Sequence, residues 1–250
     1  MLRDWRRRAG ATQLDLALRA GSSARHISCI ETGRARPSPE MVLRLAEHLE
    51  VPVRDRNVLL VAAGHAPRFP ETSLSDPEMT ALRDGLDRLL AGYEPWPALV
   101  LDRSYQVQGA NGGIHMLLEG VAPELLEPPV NALRLTLHPR GLAPRIHNFL
   151  EWRGHLLDQV RHQLTQPHAG PLRELYQEIR SYALPPGGEE RTGERGSPAL
   201  PLVIGHRGHR LSFLSVIATF NTPLDVTVSE LAIETFLPAD PETTRYLQRA

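Results

Sequence analysis

Gly10, Gly21 and Gly64 divide the first 65 residues into segments short enough only for short helices, and GSSARHISCIETGRARPS, Gly21–Ser38, constrains the fold most. Glycine adopts the left-handed backbone that closes a helix, a conformation strained for other residues. Between these breaks the apolar residues recur at helical spacing. Leu2–Ala9 reads as a first helix. Thr12 caps a second, with Asp15 reaching back as a variant capping box, and Leu14, Ala17 and Leu18 are expected to form its apolar face. Ser23 caps a third, whose Ile27 and Ile30 point inward. Ser38 and Pro39 open a fourth, buried through Met41, Leu45 and Leu49 with help from Val42 and Ala46. Val53–Ala63 is a fifth. Two short helices joined at a glycine corner and followed by arginines outline a helix-turn-helix.

Charge supports a nucleic-acid partner for this part. All 28 basic residues are arginine, whose planar fork suits phosphate and guanine. Residues 1–65 carry an excess of arginine and the remainder an excess of acid, within a formal net charge of -1. The single cysteine, Cys29, excludes an intrachain disulfide framework and a cysteine-rich zinc site. No apolar run is long enough to span a bilayer, and no apolar segment of a signal peptide follows Arg3–Arg8. The expectation is a cytoplasmic protein without membrane attachment.

In the docking geometry of such a motif, the helix from Thr12 crosses the DNA backbone and the helix from Ser23 enters the major groove. Gln13 is placed to reach a phosphate and brace the recognition helix. Ala24, Arg25, Ser28 and Cys29 lie opposite Ile27 and Ile30. Arg25 is the expected base reader, because a guanidinium pairs with guanine O6 and N7; Ala24 and Cys29 offer only small contacts. Arg3, Arg6, Arg7 and Arg8 read mainly as a solvated face, and Glu31 as a partner within the domain.

At TQLDLALRAG, SSARHISCIETGRARPS and PEMVLRLAEHLEVP the chain resembles the Cro/C1-type (Xre family) helix-turn-helix domain. That resemblance implies double-stranded DNA as partner, with contacts from Gln13, Ser23, Ala24, Arg25, Ser28 and Cys29. It implies phosphate or minor-groove contacts from Arg34 and Arg36, and a structural role for Glu31. Ala24 departs from the longer polar residue common in the family, which implies fewer direct hydrogen bonds.

Beyond Pro67 and Pro70 the periodicity changes. Leu74–Pro77 reads as a turn and cap into a helix ending near Leu90. Ala98–Leu101 and Tyr105–Gly109 form an expected hairpin, followed by a short helix near Gly113–Leu118. A long helix is expected over Leu142–Leu164 and another over Leu172–Tyr182. Leu184–Pro198 reads as a loop, and Leu211–Thr219 and Glu230–Phe236 as strands. Strands at both ends with helices between them describe an α+β domain. Arg145, Asn148, Trp152 and Arg153 on the expected long helix, beside apolar residues, suit a ligand with a carboxylate head and hydrocarbon body; an ordinary amphipathic helix fits the same residues. His147, His155 and His162 lack a metal-site pattern, Ser212 and Ser215 lack the context of a nucleophile, and GANGG lacks the dinucleotide spacing. No enzyme activity and no cofactor are therefore expected.

The stretches PALVLDRSYQVQGAN, GVAPELLEPPVNALRLTLHPRGLAPRIHNFLEWRGHLLDQVRHQL and LSFLSVIATFNTPLDVTVSELAIETFLPAD resemble the MmyB-like ligand-binding domain. The resemblance implies a PAS-like fold and a small, largely apolar ligand such as a fatty acid, with Asn148 and Arg153 foremost at its head group and His138, Arg145 and Trp152 next. It also marks Asn111 as a cap after the second strand. The expected fold class is thus two domains. An all-α helix-turn-helix bundle (1–66) is followed by a connecting segment (67–91) and an α+β PAS-like domain (92–250). The expected function is that of a dimeric, ligand-responsive transcription regulator. A second domain that binds a protein partner, or that carries out a small-molecule reaction, are the other readings open to the sequence.

Overall fold

The computed structural model describes residues 1–164, 170–185 and 199–249. They belong to two compact units, Met1–Ser73 with Asn221–Ser229, and Leu74–Phe220 with Glu230–Ala250.

The first unit is a bundle of α1 (Leu2–Arg8), α2 (Gln13–Arg19), α3 (Ala24–Glu31), α4 (Pro39–His48) and α5 (Val53–Ala62). Local chemistry sets each start. Thr12 and Asp15 form a reciprocal capping box, Ser23 accepts from the His26 amide, and Ser38 accepts from the Met41 amide with Pro39 behind it. Gly10, Gly21, Gly33 and Gly64 all have positive φ. Leu16, Ala17, Ala20, Ile27, Val42, Leu45, Ala46, Leu49 and Leu60 fill the core. The buried face of α2 differs from the sequence expectation: Leu16 and Ala17 are buried, whereas Leu14 and Leu18 are 58% and 72% exposed. Leu14 and Leu18, four residues apart, share one face of the helix, and Leu16 falls on the opposite face with Ala20 at the glycine corner. After α5, Asn57 accepts from the Arg68 and Phe69 amides at 2.9 and 3.1 Å and donates to the Phe69 carbonyl at 2.7 Å. Asp225 starts a short helix, Val226–Ser229, through the Thr227 amide at 2.7 Å, and its other oxygen accepts from the Thr72 amide at 3.1 Å. The Val226 amide donates to the Pro70 carbonyl.

In the second unit, α6 (Thr80–Gly92) precedes β1 (Ala98–Leu101) and β2 (Val107–Ala110). The helices α7 (Gly112–Leu117), α8 (Ala132–Leu137), α9 (Phe149–Gln163) and α10 (Gly170–Ser181) come next, then β3 (Leu202–His206), β4 (His209–Thr219) and β5 (Ala232–Pro238). The antiparallel sheet has the order β2-β1-β5-β4-β3, a PAS-like arrangement with both termini of the strand series meeting at its centre. Both faces are covered at β1, whereas Val216 and Ile217 near the end of β4 are 46% and 48% exposed. Ala98, Val100 and Ile233 pack on Leu86 and Leu90 of α6, while Leu99, Leu101, Phe213 and Phe236 pack with residues of α7–α10. This double burial explains why β1 is a continuous apolar run, ALVL, without alternation.

The Leu142–Leu164 segment is not one helix. A single turn at Ala143–Arg145 ends at Ile146, which forms an isolated β-bridge with Ile204, and α9 starts only at Phe149. The His147 amide donates to the Val203 carbonyl, so strand pairing takes backbone groups that a continuous helix would use. The strand expected from Tyr105 begins at Val107, because Tyr105 has φ 62. Three elements without a clear periodic signal are α8, β3 and a C-terminal helix, Pro241–Leu247. Of the expected loop Leu184–Pro198, residues 186–198 lie outside the described residues.

Candidate functional site

The recognition helix α3 presents Ser23 and Arg25 to solvent, with Ala24, Ser28 and Cys29 half-exposed and Ile27 fully buried beneath them. Gly21 makes the corner with φ +61, and the Ser22 hydroxyl meets His26 Nδ1 at 3.1 Å on the next turn. Arg34 is exposed just past the helix. Arg36 is also exposed, but its Nε donates to the Ala63 carbonyl at 2.9 Å and its Nη2 to the Gly64 carbonyl, closing the C-terminal end of α5.

Glu31 at the end of α3 is the polar centre of the bundle. Its side chain has 0% exposure and receives Arg6 Nε at 2.6 Å on one oxygen and Arg6 Nη2 at 2.9 Å on the other. Gln13 Nε2 donates to the same carboxylate at 2.8 Å, and Arg3 Nε lies 3.6 Å away. Burial pushes the carboxyl pKa up, but the bonds from Arg6 and Gln13 and the charges of Arg6 and Arg3 outweigh it and hold the group below its ordinary value. One carboxylate therefore ties α1, α2 and α3 together and fixes the angle at which α3 leaves the scaffold. Arg6 thus serves the core and is not part of a solvated face. The sequence expectation for Glu31 as an internal partner matches this geometry.

In the second unit the five residues expected at a ligand head group have separate partners. Asn148 donates to the Pro201 carbonyl at 2.7 Å and accepts from the Val203 amide at 3.0 Å, anchoring β3 to the start of α9. Trp152 is 3% exposed within the apolar core. Arg145 donates to the Leu117 carbonyl, and its burial lowers its pKa against the opposing charge of Glu119. His138 accepts from the Arg140 amide at 3.1 Å and meets the Tyr182 ring edge-on. Arg153 Nη2 donates to the Arg180 carbonyl at 2.9 Å, while its buried Nε has no partner among the described residues. Asn111 acts as a cap and more: its carbonyl oxygen accepts from the Ile114 and Ala98 amides, and its amide donates to Trp96 and Leu90.

Sequence reading missed a polar group on the inner sheet face. Glu234 of β5 pairs in register with Leu99 and Ile217, on the face that carries Leu101, Phe213 and Phe236. Ser215 Oγ donates to Glu234 Oε1 at 2.6 Å, and burial raises the carboxyl pKa. Tyr105, also in this core, accepts from Gln163 Nε2 at 2.9 Å, and burial pushes its phenol up to about 12, the charge of Glu234 adding to the rise. An acid at an inward strand position runs against the alternation used to read strands, and no sequence signal marked it. Among the described residues, no group of three or more His, Cys, Asp or Glu is arranged to hold a metal ion. No described helix is long and apolar enough to cross a membrane.

A capped helix-turn-helix bundle and a PAS-like sheet with a helical cover are the architecture of a DNA-binding transcription regulator with a ligand-binding domain. Residues 1–59 match the helix-turn-helix domain family, and the bundle is of the Xre type. Residues 82–250 match the MmyB-like transcription regulator ligand binding domain, and the chain belongs to that family. No curated protein matches the sequence.

Proposed function

We propose that the protein is a dimeric, cytoplasmic regulator that reads DNA through Arg25 and responds to a small, largely apolar ligand such as a fatty acid. The supporting observation for the ligand is Arg153. Its buried Nε–H has no acceptor among the described residues, in a unit whose core is rich in leucine and aromatic residues. Leaving a buried donor unpaired is costly, and a carboxylate head would satisfy it while the hydrocarbon body contacts the core. Residues 1–66 would bind DNA, 67–91 would connect, and 92–250 would sense.

On the DNA side, Arg25 is the only long side chain on the exposed start of α3, so base discrimination falls largely to it. Gln13, Ser23, Ala24, Ser28 and Cys29 would line the contact, with Arg34 at a phosphate. Arg36 would have only its remaining donors for DNA while it closes α5. Two copies would place their recognition helices on half-sites about one helical turn apart. The ligand changes occupancy only if it binds one conformation more tightly than the other.

Native mass spectrometry of gently purified protein tests the sensing step. A lipid-sized adduct that is lost on Arg153→Gln supports it. No adduct after exposure to fatty acids would overturn it in favour of a second domain that binds a protein partner.

A further inference from the structure

Among the described residues, the C-terminal half of β4 has a sheet neighbour on one side only. β3 pairs with β4 as far as Leu202 opposite Phe213, whereas β4 runs on to Thr219 and pairs with β5 throughout. β3 does not follow it: Pro201 lacks an N–H, and its carbonyl accepts from Asn148. The hairpin between β3 and β4 sets the direction of the main-chain groups. Its two-residue turn makes His206 and His209 a hydrogen-bonded pair, so His209, Leu211 and Phe213 point their N–H and C=O at β3. Alternation then turns those of Leu214, Val216 and Ala218 to β5, and those of Ser215, Ile217 and Thr219 outward. The bond from the Ala239 amide to the Ser212 carbonyl, on the β5 side, has the same phase. Among the described residues, no hydrogen bond reaches the main-chain groups of Ser215, Ile217 or Thr219 on the outward side. Residues 216–219 are all exposed, and the usual guards of a free edge are missing: residues 214–219 contain no charge, no proline and no bulge.

We infer that this edge is where two copies of the chain meet, residues 215–219 of β4 pairing antiparallel with the same residues of a second copy about a two-fold axis at Ile217. The inference rests on the dimeric reading proposed above and names its surface. A second copy fits the edge in hydrogen bonding, shape and charge. The pairing sets Ile217 opposite its own counterpart and Ser215 opposite Thr219, so every outward N–H and C=O is satisfied, in about six main-chain hydrogen bonds. On one sheet face Val216 comes beside Ala218, a large side chain against a small one, and on the other the two copies of Ile217 cover each other. A two-fold axis brings any charge near it against itself, and no charged residue lies between Arg210 and Asp225. The open stretch begins where β3 stops, beyond Phe213, and closes at the end of the strand, so the copy extends the sheet without displacing β3. Five paired residues make a small interface, and self-association is expected at micromolar concentrations. A DNA site that engages both recognition helices strengthens it.

Sedimentation velocity of the full-length protein over about 1–100 µM reads the association. Ile217→Lys sets two like charges face to face at the axis, and Ile217→Pro removes an N–H that β5 does not use. Each should weaken self-association by about tenfold or more while keeping the circular dichroism of the wild type. Leu18→Lys, the same charge on an exposed leucine of α2, should leave it unchanged. In a Cys29→Ser background, Ile217→Cys should give a disulfide-linked dimer on oxidation. Opposed residues of a hydrogen-bonded antiparallel pair stand about 5.5 Å apart at Cα, within disulfide reach. Leu224→Cys, on a residue 78% exposed, should not crosslink. The crosslink decides the question if a charged or proline variant misfolds. Self-association that persists in both Ile217→Lys and Ile217→Pro, or no disulfide from Ile217→Cys in a protein that dimerises, refutes the edge while the dimeric reading stands. A chain that stays monomeric throughout, alone and on DNA with two half-sites, overturns the dimeric reading and the edge with it.

Discussion

Replacing Glu31 with leucine should do more damage to the DNA-binding unit than any single change on its exposed surface. The carboxylate is fully enclosed and takes three hydrogen bonds, two from Arg6 and one from Gln13. Removing it leaves the Arg6 guanidinium, only 11% exposed, without its counter-charge. Breaking one side of a buried pair costs roughly 3–5 kcal/mol. Arg6 keeps a bond from Nη1 to the Ala11 carbonyl at 2.8 Å, which places the expected loss at the lower end, about 3 kcal/mol. For a unit of this size that is a fall of about 12 °C or more in Tm, and a large part of its whole stability. Amide hydrogen exchange of the full chain is the assay, because it reads each unit separately. Protection of the α3 amides should drop by about a hundredfold, with the sheet amides of the second unit unaffected. The double variant Arg6→Met, Glu31→Leu should recover most of the loss, since replacing both partners by apolar groups is often neutral or stabilising. A loss below about 1 kcal/mol for Glu31→Leu, or a double variant as unstable as the single one, would refute the view that this pair holds the helices in place.

The same carboxylate sets a pH dependence. Its folded pKa is depressed, so its stabilisation is present above the ordinary carboxylate range and is lost as pH falls through the lowered folded value. Acid titration of α3 protection should therefore show a decline in the wild type that is absent in Glu31→Leu. At the DNA surface, Arg25→Ala should relax sequence preference by about 1–3 kcal/mol in a comparison of specific and non-specific sites. Arg34→Ala should weaken all sites alike and lower the salt slope by about one, as measured by binding at several salt concentrations. Gly64→Ala should destabilise the first unit by about 1–3 kcal/mol in thermal unfolding. Its φ is +77, and the added Cβ would lie 2.6 Å from Arg36 Nη2, so Arg36→Ala should lessen the effect of the alanine. Asp225→Ala should speed exchange at Thr72 and at the Thr227 amide together, because one carboxylate accepts from both.

What was legible in the sequence follows from which interactions are local. Caps at Thr12, Ser23 and Ser38 act within three residues of themselves, and the glycine corners act at a single φ, so the helices of the first unit were readable end to end. The error at Leu14 and Leu18 arose because two turns with leucines at 14, 16 and 18 offer an apolar residue on both of two opposite faces, and packing at Leu16 and Ala20 chose between them. In the second unit, β1 was plain because both its faces are buried. β3 was not, because its turn is Arg207–Gly208, with φ 46 and 81, a two-residue hairpin lacking the Asn-Gly signature. The break at Ile146–Asn148 was invisible for a different reason: its cause lies in Pro201–Ile204, more than fifty residues away.

The functional residues divide along the same line. An exposed arginine near the start of a recognition helix carries its role in its position, because the fold alone decides what it faces. A buried polar residue carries its role in its partners. Asn148 and Arg153 are both polar residues within the ligand-binding unit, yet Asn148 spends its carboxamide on the backbone of β3 while the buried Nε of Arg153 has no partner among the described residues. The family resemblance ranks Asn148 and Arg153 first together. Hydrogen-bond accounting separates the two: a group whose capacity is filled by its own chain has little left for a ligand, whereas an unfilled buried donor has a reason to await one. Arg153 Nε meets that criterion among the described residues, which is why the proposed carboxylate head is assigned to it.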